Sequence, residues 1–223
     1  MSSALPTSGR TLVIETASEA CSVALLDGED MLARDHRVLG RGHAEQLIPM
    51  IEALPDNGKA ARILVSLGPG SFTGVRIGIA AARALGIAWG AEVRGYPTLG
   101  LVAAQAWAAS PSAAASPVTI CMNGGHGEWF VADFALDALA GEAQSLTPEA
   151  AIERGAQAII AGNRAEDFAN SLKGDHTALT LLPDAGAAPS LPQHYLTDDL
   201  SPIYGRAPDA KPIAERAAAK VTL

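Results

Sequence analysis

One stretch of this 223-residue chain has a composition that could do chemistry: residues 66–78, "SLGPGSFTGVRIG". It lies between an apolar strand-like run, "RILVSL", and an apolar helix-like run that begins near Thr73. Backbone N–H groups at a glycine-rich helix start can cradle a phosphate, and Gly68, Gly70, Ser71, Thr73 and Gly74 are the candidates here. The same residues have a purely steric use, because glycines also let a helix sit close against a sheet. A Walker-type loop needs Lys followed by Ser or Thr at the helix start. After Gly70 the chain reads "SFTGVRIG" without a lysine, and Arg76 lies inside the helix. The "GPG" triplet does not continue with the dinucleotide-binding spacing, and the elements before it are not those of a dinucleotide-binding unit. Cradle and seat both remain open on the residues alone.

Other candidates are few. The five histidines, His36, His43, His126, His176 and His194, contain no i, i+4 pair, and no Cys-x-x-Cys occurs, so no metal site is expected. His43 opens an amphipathic helix, which suits a capping or interface role. His126 sits in a glycine turn and should be exposed. Ser71 stands at a helix start, but "GPGSFTG" is not the G-x-S-x-G nucleophile elbow, and Ser71 or Thr73 as an N-cap accounts for a hydroxyl there. Cys21 and Cys121 lie in apolar runs and read as buried, reduced thiols. Glu15 ends the first strand and is followed by Thr16 and Ser18. That is similar to the first phosphate loop of actin-like ATPases, where a carboxylate positions Mg²⁺ and water while hydroxyls contact phosphate; no second carboxylate of matching context accompanies it.

The elements that must position these residues follow from periodicity. "TLVIET", "CSVALL" and "MLARDHRV" are joined by short polar links and predict an antiparallel meander. In "HAEQLIPMIEAL" (43–54), Ala44, Leu47, Met50, Ile51 and Leu54 fall on one helical face with Glu45 and Glu52 opposite. Pro49 should kink or end that helix. From about 73 to 89 only Arg76 and Arg83 are charged, and they share one narrow stripe. A helix so apolar needs cover on at least two sides: its own sheet, and another helix of this chain or of a partner. "AEVRGYP" predicts a strand and "TLGLVAAQAWAA" a helix. The tract "SPSAAASP" (110–117) has linker composition, which divides the chain into a first subdomain, 1–110, of order β-β-β-α-β-α-β-α, and a smaller, degenerate second one, 111–223. The second begins with a hairpin, "VTICM" and "EWFVADF" joined through "NGGHG". A short helix near 148–154, a strand "AQAIIAG" and a helix "RAEDFANSL" follow, then a proline-rich, irregular tail from Pro183. No solenoid-type repeat is visible.

Composition limits the function classes. A net charge of −8 argues against a broad phosphate-binding surface, so a nucleic acid, if involved, is not held mainly by this chain. The N-terminal "MSSALPTSGR" has no apolar core of a leader, and a cytoplasmic protein without membrane contact is expected.

"IETASEACSVALL", "HAEQLIPMIEAL", "SLGPGSFTGVRIGIAAARALGIAWG" and the C-terminal "PIYGRAPDAKP" together resemble the TsaB (YeaZ) family, bacterial partner proteins in tRNA threonylcarbamoyladenosine synthesis. The likeness spans most of 12–109, returns near 201–212, and is loose between. It implies an α/β, actin-like (RNase H-like, ASKHA) fold of two subdomains with the second reduced. It also implies a role: a non-catalytic scaffold that binds TsaD, the threonylcarbamoyl-transferring subunit, and with it the ATPase TsaE. The His-x-x-x-His metal pair of TsaD falls here on Thr98 and Val102, neither of which holds a transition metal as His does. The resemblance therefore implies no catalytic residue, no metal and no cofactor of its own. ATP is used by the partner subunits, tRNA is touched only indirectly, and the chain pairs with itself when alone. In the family the kinked helix and the glycine-alanine helix bundle with TsaD, which assigns a partner interface to His43, Leu47, Met50, Gly78, Ile79, Ala82, Leu85 and Gly86, the small residues allowing close approach. The glycine loop becomes a vestige that seats its helix. Arg76 and Arg83 are expected to be solvated or salt-bridged rather than bound to tRNA. The chain departs from the family in Glu15 for Asp, in "MNGGHGEW" (122–129) for a basic segment with Asn123 in its Asp position, and in "PIYGR" for "PVYLR". The competing reading is an ATP- or metal-dependent transferase, or a glycoprotease-like enzyme, in its own right.

Overall fold

The computed structural model describes residues 9–109, 116–138 and 140–205. Most of the linker tract, including the 110/111 boundary, and the end of "PIYGRAPDAKP" lie outside them.

β-Branched and aliphatic residues build a first sheet from β1 (Arg10–Glu15), β2 (Ala20–Asp27), β3 (Asp30–Val38), β4 (Arg62–Ser66) and β5 (Glu92–Tyr96). The spatial order is β3-β2-β1-β4-β5. The first three strands form the predicted antiparallel meander, turning at Gly28 with φ 63°; β4 and β5 run parallel to β1. Three helices belong to this half: α1 (His43–Glu52), α2 (Phe72–Trp89) and α3 (Thr98–Ala109).

The second sheet holds β6 (Val118–Gly125), β7 (Glu128–Phe134), β8 (Gln144–Leu146), β9 (Ile159–Ala161) and β10 (Thr177–Leu179), with α4 (Pro148–Arg154) and α5 (Ala165–Ser171) beside it. Read from its meander edge, its order is β8-β7-β6-β9-β10. The antiparallel pairs β6–β7 and β7–β8 and the parallel pairs β6–β9 and β9–β10 repeat the plan of the first sheet with shorter strands. This doubled RNase H-like arrangement, its second copy reduced, is the fold that the resemblance implies.

α3 joins the halves. It is apolar on every side, and a helix of that kind must be buried. Leu101, Val102 and Ala106 are fully buried in one cluster with Val13 and Leu64 of the first sheet and Val118, Ile120 and Phe134 of the second. Full burial of a side chain the size of Leu101 or Val102 contributes about 1.5–3 kcal/mol.

α1 and α2 lie together over the opposite face of the first sheet, sharing a core with Leu12, Ile14, Ile63 and Val65. α1 runs through Pro49 and ends at Glu52, where Ala53 N–H reaches the Pro49 carbonyl. Its buried face is rotated from the predicted one. Ala44 is exposed, and His43 is buried in its place, its Nε2 3.2 Å from the Ala20 carbonyl. The expected two-sided cover of α2 is met by its sheet and by α1, while Ala80, Ala84, Ile87 and Ala88 remain exposed.

The three-residue strands β8 and β10 and the 3₁₀ turns Pro55–Gly58, Ala185–Ser190 and Gln193–Tyr195 were not foreseen, since none is long enough to show a period. The tail returns to the first half. Ser22 Oγ accepts from Ala185 N–H at 3.0 Å, Asp184 pairs with Arg34 at 3.2 Å, and Thr197 exchanges two backbone hydrogen bonds with Gly95.

Candidate functional site

The glycine loop lies against the link between β1 and β2. Ser71 N–H donates to the Ala17 carbonyl at 2.6 Å. A Cβ on Gly70 would collide with that carbonyl, and one on Gly74 with the carbonyl of Thr16. Ser71 is the N-cap, its Oγ accepting from Gly74 N–H at 3.2 Å, and Val75 N–H is held by the Ser71 carbonyl. The N–H groups of Ser71, Gly74 and Val75 are thus engaged within the chain. Gly68 (φ 92°) precedes Pro69 through a cis peptide bond, and its carbonyl accepts from Thr98 N–H. The geometry of Gly68, Gly70, Ser71 and Gly74 favours the seat over the cradle; Thr73 is exposed on the first turn of α2.

A cleft of about 270 Å³ opens beside this loop, between the two halves. Ser18 and Glu19 come from the β1–β2 link, and Pro69, Gly70 and Ser71 from the glycine loop. Met122, Asn123 and Phe130 come from the β6–β7 hairpin, and Asn163 from the turn before α5. One contact crosses the rim: Asn163 Nδ2 donates to Glu19 Oε1 at 2.9 Å, while Asn163 Oδ1 accepts from Asn123 N–H at 2.9 Å. The divergent segment 122–129 is therefore one wall of the cleft. No Lys or Arg lines it among the described residues, so its walls supply hydroxyl, amide and carboxylate groups but no fixed cation for a polyphosphate.

Thr98 forms part of the cleft floor, with its Oγ1 2.5 Å from Ser66 Oγ. Val102, one turn on, is fully buried. Among the described residues no group of three His, Cys, Asp or Glu is placed to hold a metal ion.

Glu15 is fully buried and does not line the cleft. Its Oε1 accepts from Ala17 N–H at 2.7 Å, and the Tyr96 hydroxyl lies 3.4 Å from Oε2. Burial pushes its carboxyl up to about 7, only partly opposed by the hydrogen bonds from Ala17, Ser66 and Tyr96. A carboxylate sealed in this way does not face the cleft.

The residues assigned to a partner interface are placed differently. His43, Leu47, Met50, Gly78, Ile79, Ala82 and Gly86 are buried, and Leu85 is partly buried against the same core. A Cβ on Gly78 would lie 2.5 Å from Thr16 Oγ1, and one on Gly86 2.5 Å from Val93 Cγ2. These glycines admit the chain's own sheet, not a second protein. The outward positions are their neighbours: Ile48 on α1, 41% exposed, and Ala80, Ala84 and Ile87 on α2, Ile87 being 86% exposed. The charged stripe of α2, Arg76 and Arg83, is exposed and marks the side away from the sheet. The row of glycines marks the tight side. Arg76 and Arg83 point to the tail, donating to Tyr204 Oη at 2.7 Å and to the Leu200 carbonyl at 3.4 Å.

Comparison with known proteins bears on the family and the fold. The family model described as TsaD, tRNA N6-adenosine threonylcarbamoyltransferase, matches residues 37–178. The tRNA threonylcarbamoyladenosine biosynthesis protein TsaB of Escherichia coli is 37% identical over 135 residues, which is 57% of this chain and 56% of that protein. The protein of the same description from Haemophilus influenzae is 41% identical over 98 residues, 41% of this chain and 40% of that one. The chain thus matches about half the length of these curated relatives. Among solved structures, YeaZ from Pseudomonas aeruginosa superposes with a TM-score of 0.67 at 29% identity, covering 82% of this chain and 90% of that one. A protein from the same organism described as similar to peptidase YeaZ gives 0.73 at 28%, covering 88% and 99%.

Proposed function

The chain belongs to the TsaB/YeaZ family, and from that membership we propose that it serves tRNA threonylcarbamoyladenosine synthesis as a non-catalytic partner subunit. In this reading it docks TsaD, and through it TsaE, in the cytoplasm, while ATP is used by those subunits and tRNA is contacted only indirectly. The observation that carries the proposal is the apolar surface left exposed on two adjoining helices, Ala80, Ala84 and Ile87 on α2 and Ile48 on α1. A side chain as open as Ile87 contributes nothing to its own core, and small residues around it let another helix approach closely. Exposed apolar patches of this kind mark association sites. The same surface would be covered in a self-paired form when TsaD is absent.

Two further features support an inert subunit. Thr98 and Val102, on which the resemblance places the TsaD histidine pair, are both engaged in local packing. The cleft lacks a cation for phosphate among its described lining residues.

The test is reconstitution: this protein with TsaD, TsaE, a threonylcarbamoyl-adenylate source, ATP and tRNA, omitting each protein in turn and following modified adenosine. Product should vanish without this chain and be absent with this chain alone. Product formed without TsaD would place the catalytic centre here and sink the proposal.

A further inference from the structure

The end of the described chain, residues 196–205, does not hang free. It runs along the β5 edge and over the glycine loop, and three arginines of the first subdomain hold it in succession. Arg94 donates from Nε to Asp198 at 2.9 Å and from Nη2 to the Leu196 carbonyl at 3.2 Å. Arg83 reaches the Leu200 carbonyl, and Leu200 packs on the first core. Arg76 donates to Tyr204 Oη, with its guanidinium 3.3 Å from the centre of the Phe72 ring. Phe72 and Tyr204 themselves stack, their centroids 5.6 Å apart. Between these anchors Ile203 N–H donates to the Leu67 carbonyl at 2.7 Å.

The far end of this strap sits where the halves meet. A Cβ on Gly205 would lie 2.6 Å from the Phe130 ring and 3.1 Å from Pro69 Cβ, and one on Gly68 would lie 2.7 Å from the Ile203 carbonyl oxygen. Pro69 is on the glycine loop and Phe130 on β7, and both line the cleft. The strap is therefore packed onto cleft-wall residues from each subdomain, and it accompanies the Glu19–Asn163 hydrogen bond as a link across the cleft.

We propose that residues 196–205 are a latch that sets the opening of the inter-subdomain cleft: seated on Arg94, Arg83 and Arg76 they hold Pro69 and Phe130 together, and released they let the β6–β7 hairpin move away from the glycine loop. Its anchors are of the releasable kind. Phe72 and Tyr204 are 59% and 45% exposed, and exposed cation–π and ionic contacts are individually weak. Two of the arginines and Phe72 sit on α2, so the latch is physically continuous with the helix that carries Ile87.

The test uses the full chain. Spin labels at Arg41→Cys and His126→Cys, both exposed and on opposite sides of the cleft, report its opening; Cys21 and Cys121 are buried and stay unlabelled in the folded protein. Tyr204→Ala should lengthen and broaden the distance distribution and speed amide exchange at Gly68, Gly70 and Ser71 by about tenfold, while core amides of β1 keep their protection. Tyr204→Phe, which keeps the ring stack and loses the hydrogen bond from Arg76, should fall between. Ile203→Pro combined with Tyr204→Ala removes the Leu67 hydrogen bond as well and releases the strap outright, which fast exchange across 196–205 would verify. A released strap with an unchanged distance distribution and unchanged exchange at Gly68, Gly70 and Ser71 would overturn the latch and leave only a surface clamp.

Discussion

Thr16 Oγ1 donates a 2.8 Å hydrogen bond to the carbonyl of Gly74, tying the end of β1 to the first turn of α2. The bond requires two backbones to touch, and it explains why glycines recur at 70, 74 and 78: each faces Thr16 or Ala17. The glycine loop positions a helix, and what that helix presents to solvent is decided by its tight side.

Gly74→Ala should therefore be severely destabilising, by about 3 kcal/mol or more, because its Cβ meets a carbonyl oxygen rather than a yielding side chain. Gly78→Ala should cost about 1–3 kcal/mol, since Thr16 Oγ1 can rotate away only by giving up its bond to Gly74. Urea unfolding measures both. A Gly74→Ala protein as stable as the parent would refute the seat.

Ile87→Glu should separate folding from association. With the side chain 86% exposed, stability should change by no more than about 0.5 kcal/mol, while TsaD pull-down and self-association in sedimentation velocity are both lost. Ile79→Glu, on the buried side, should instead fail to fold. Retained TsaD binding by Ile87→Glu would remove the α1–α2 surface from the interface.

The buried carboxyl of Glu15 predicts a falling stability at neutral pH. Its folded value of about 7 lies above the ordinary 4.5, so the folded state binds the extra proton. Its contribution is full below about 4.5 and is lost as pH rises through about 7. The cost of ionising it in place is about 3 kcal/mol by the upper end of that window. Glu15→Gln should flatten the stability profile between pH 5 and 8 and leave the variant more stable than the parent at pH 8 (two-point urea melts at roughly pH 5 and pH 8 suffice). An unchanged slope would mean that the group titrates elsewhere.

Burial pushes the Cys21 thiol up to about 11 and the Cys121 thiol up to about 12. Both should resist a thiol reagent at pH 8 in the native protein and react together on denaturation. Fast native labelling of either would show that its strand opens.

Much of the architecture is legible from local pattern. The apolar runs of 11–38, joined by short polar links, specify the meander, "NGGHG" marks the β6–β7 turn, and the apolar helices follow from their spacing. Those signals come from neighbours in sequence, which is why they survive without a structure. The motif "GPGSFTGVRIG", with "IETASEACSVALL" and "HAEQLIPMIEAL", points to the family in the same way. The short strands β8 and β10 are not legible, because three residues have no period and their pairing partners are distant. The interface residues expected on α2 lie on its sheet side. At 100° per residue Ile87 falls on the Arg76–Arg83 stripe and Gly78 opposite it, and the contacts of Gly78 with Thr16 and Ile14 put the glycine side against the sheet and Ile87 in water. The cleft and the strap belong wholly to tertiary structure: Phe130, Pro69 and Gly205 lie far apart along the chain and meet because two copies of one sheet plan are packed on either side of α3. Residue types and spacings determined what elements form and which family they belong to; close approach of backbones, which no local pattern records, decided which surfaces remain for other molecules.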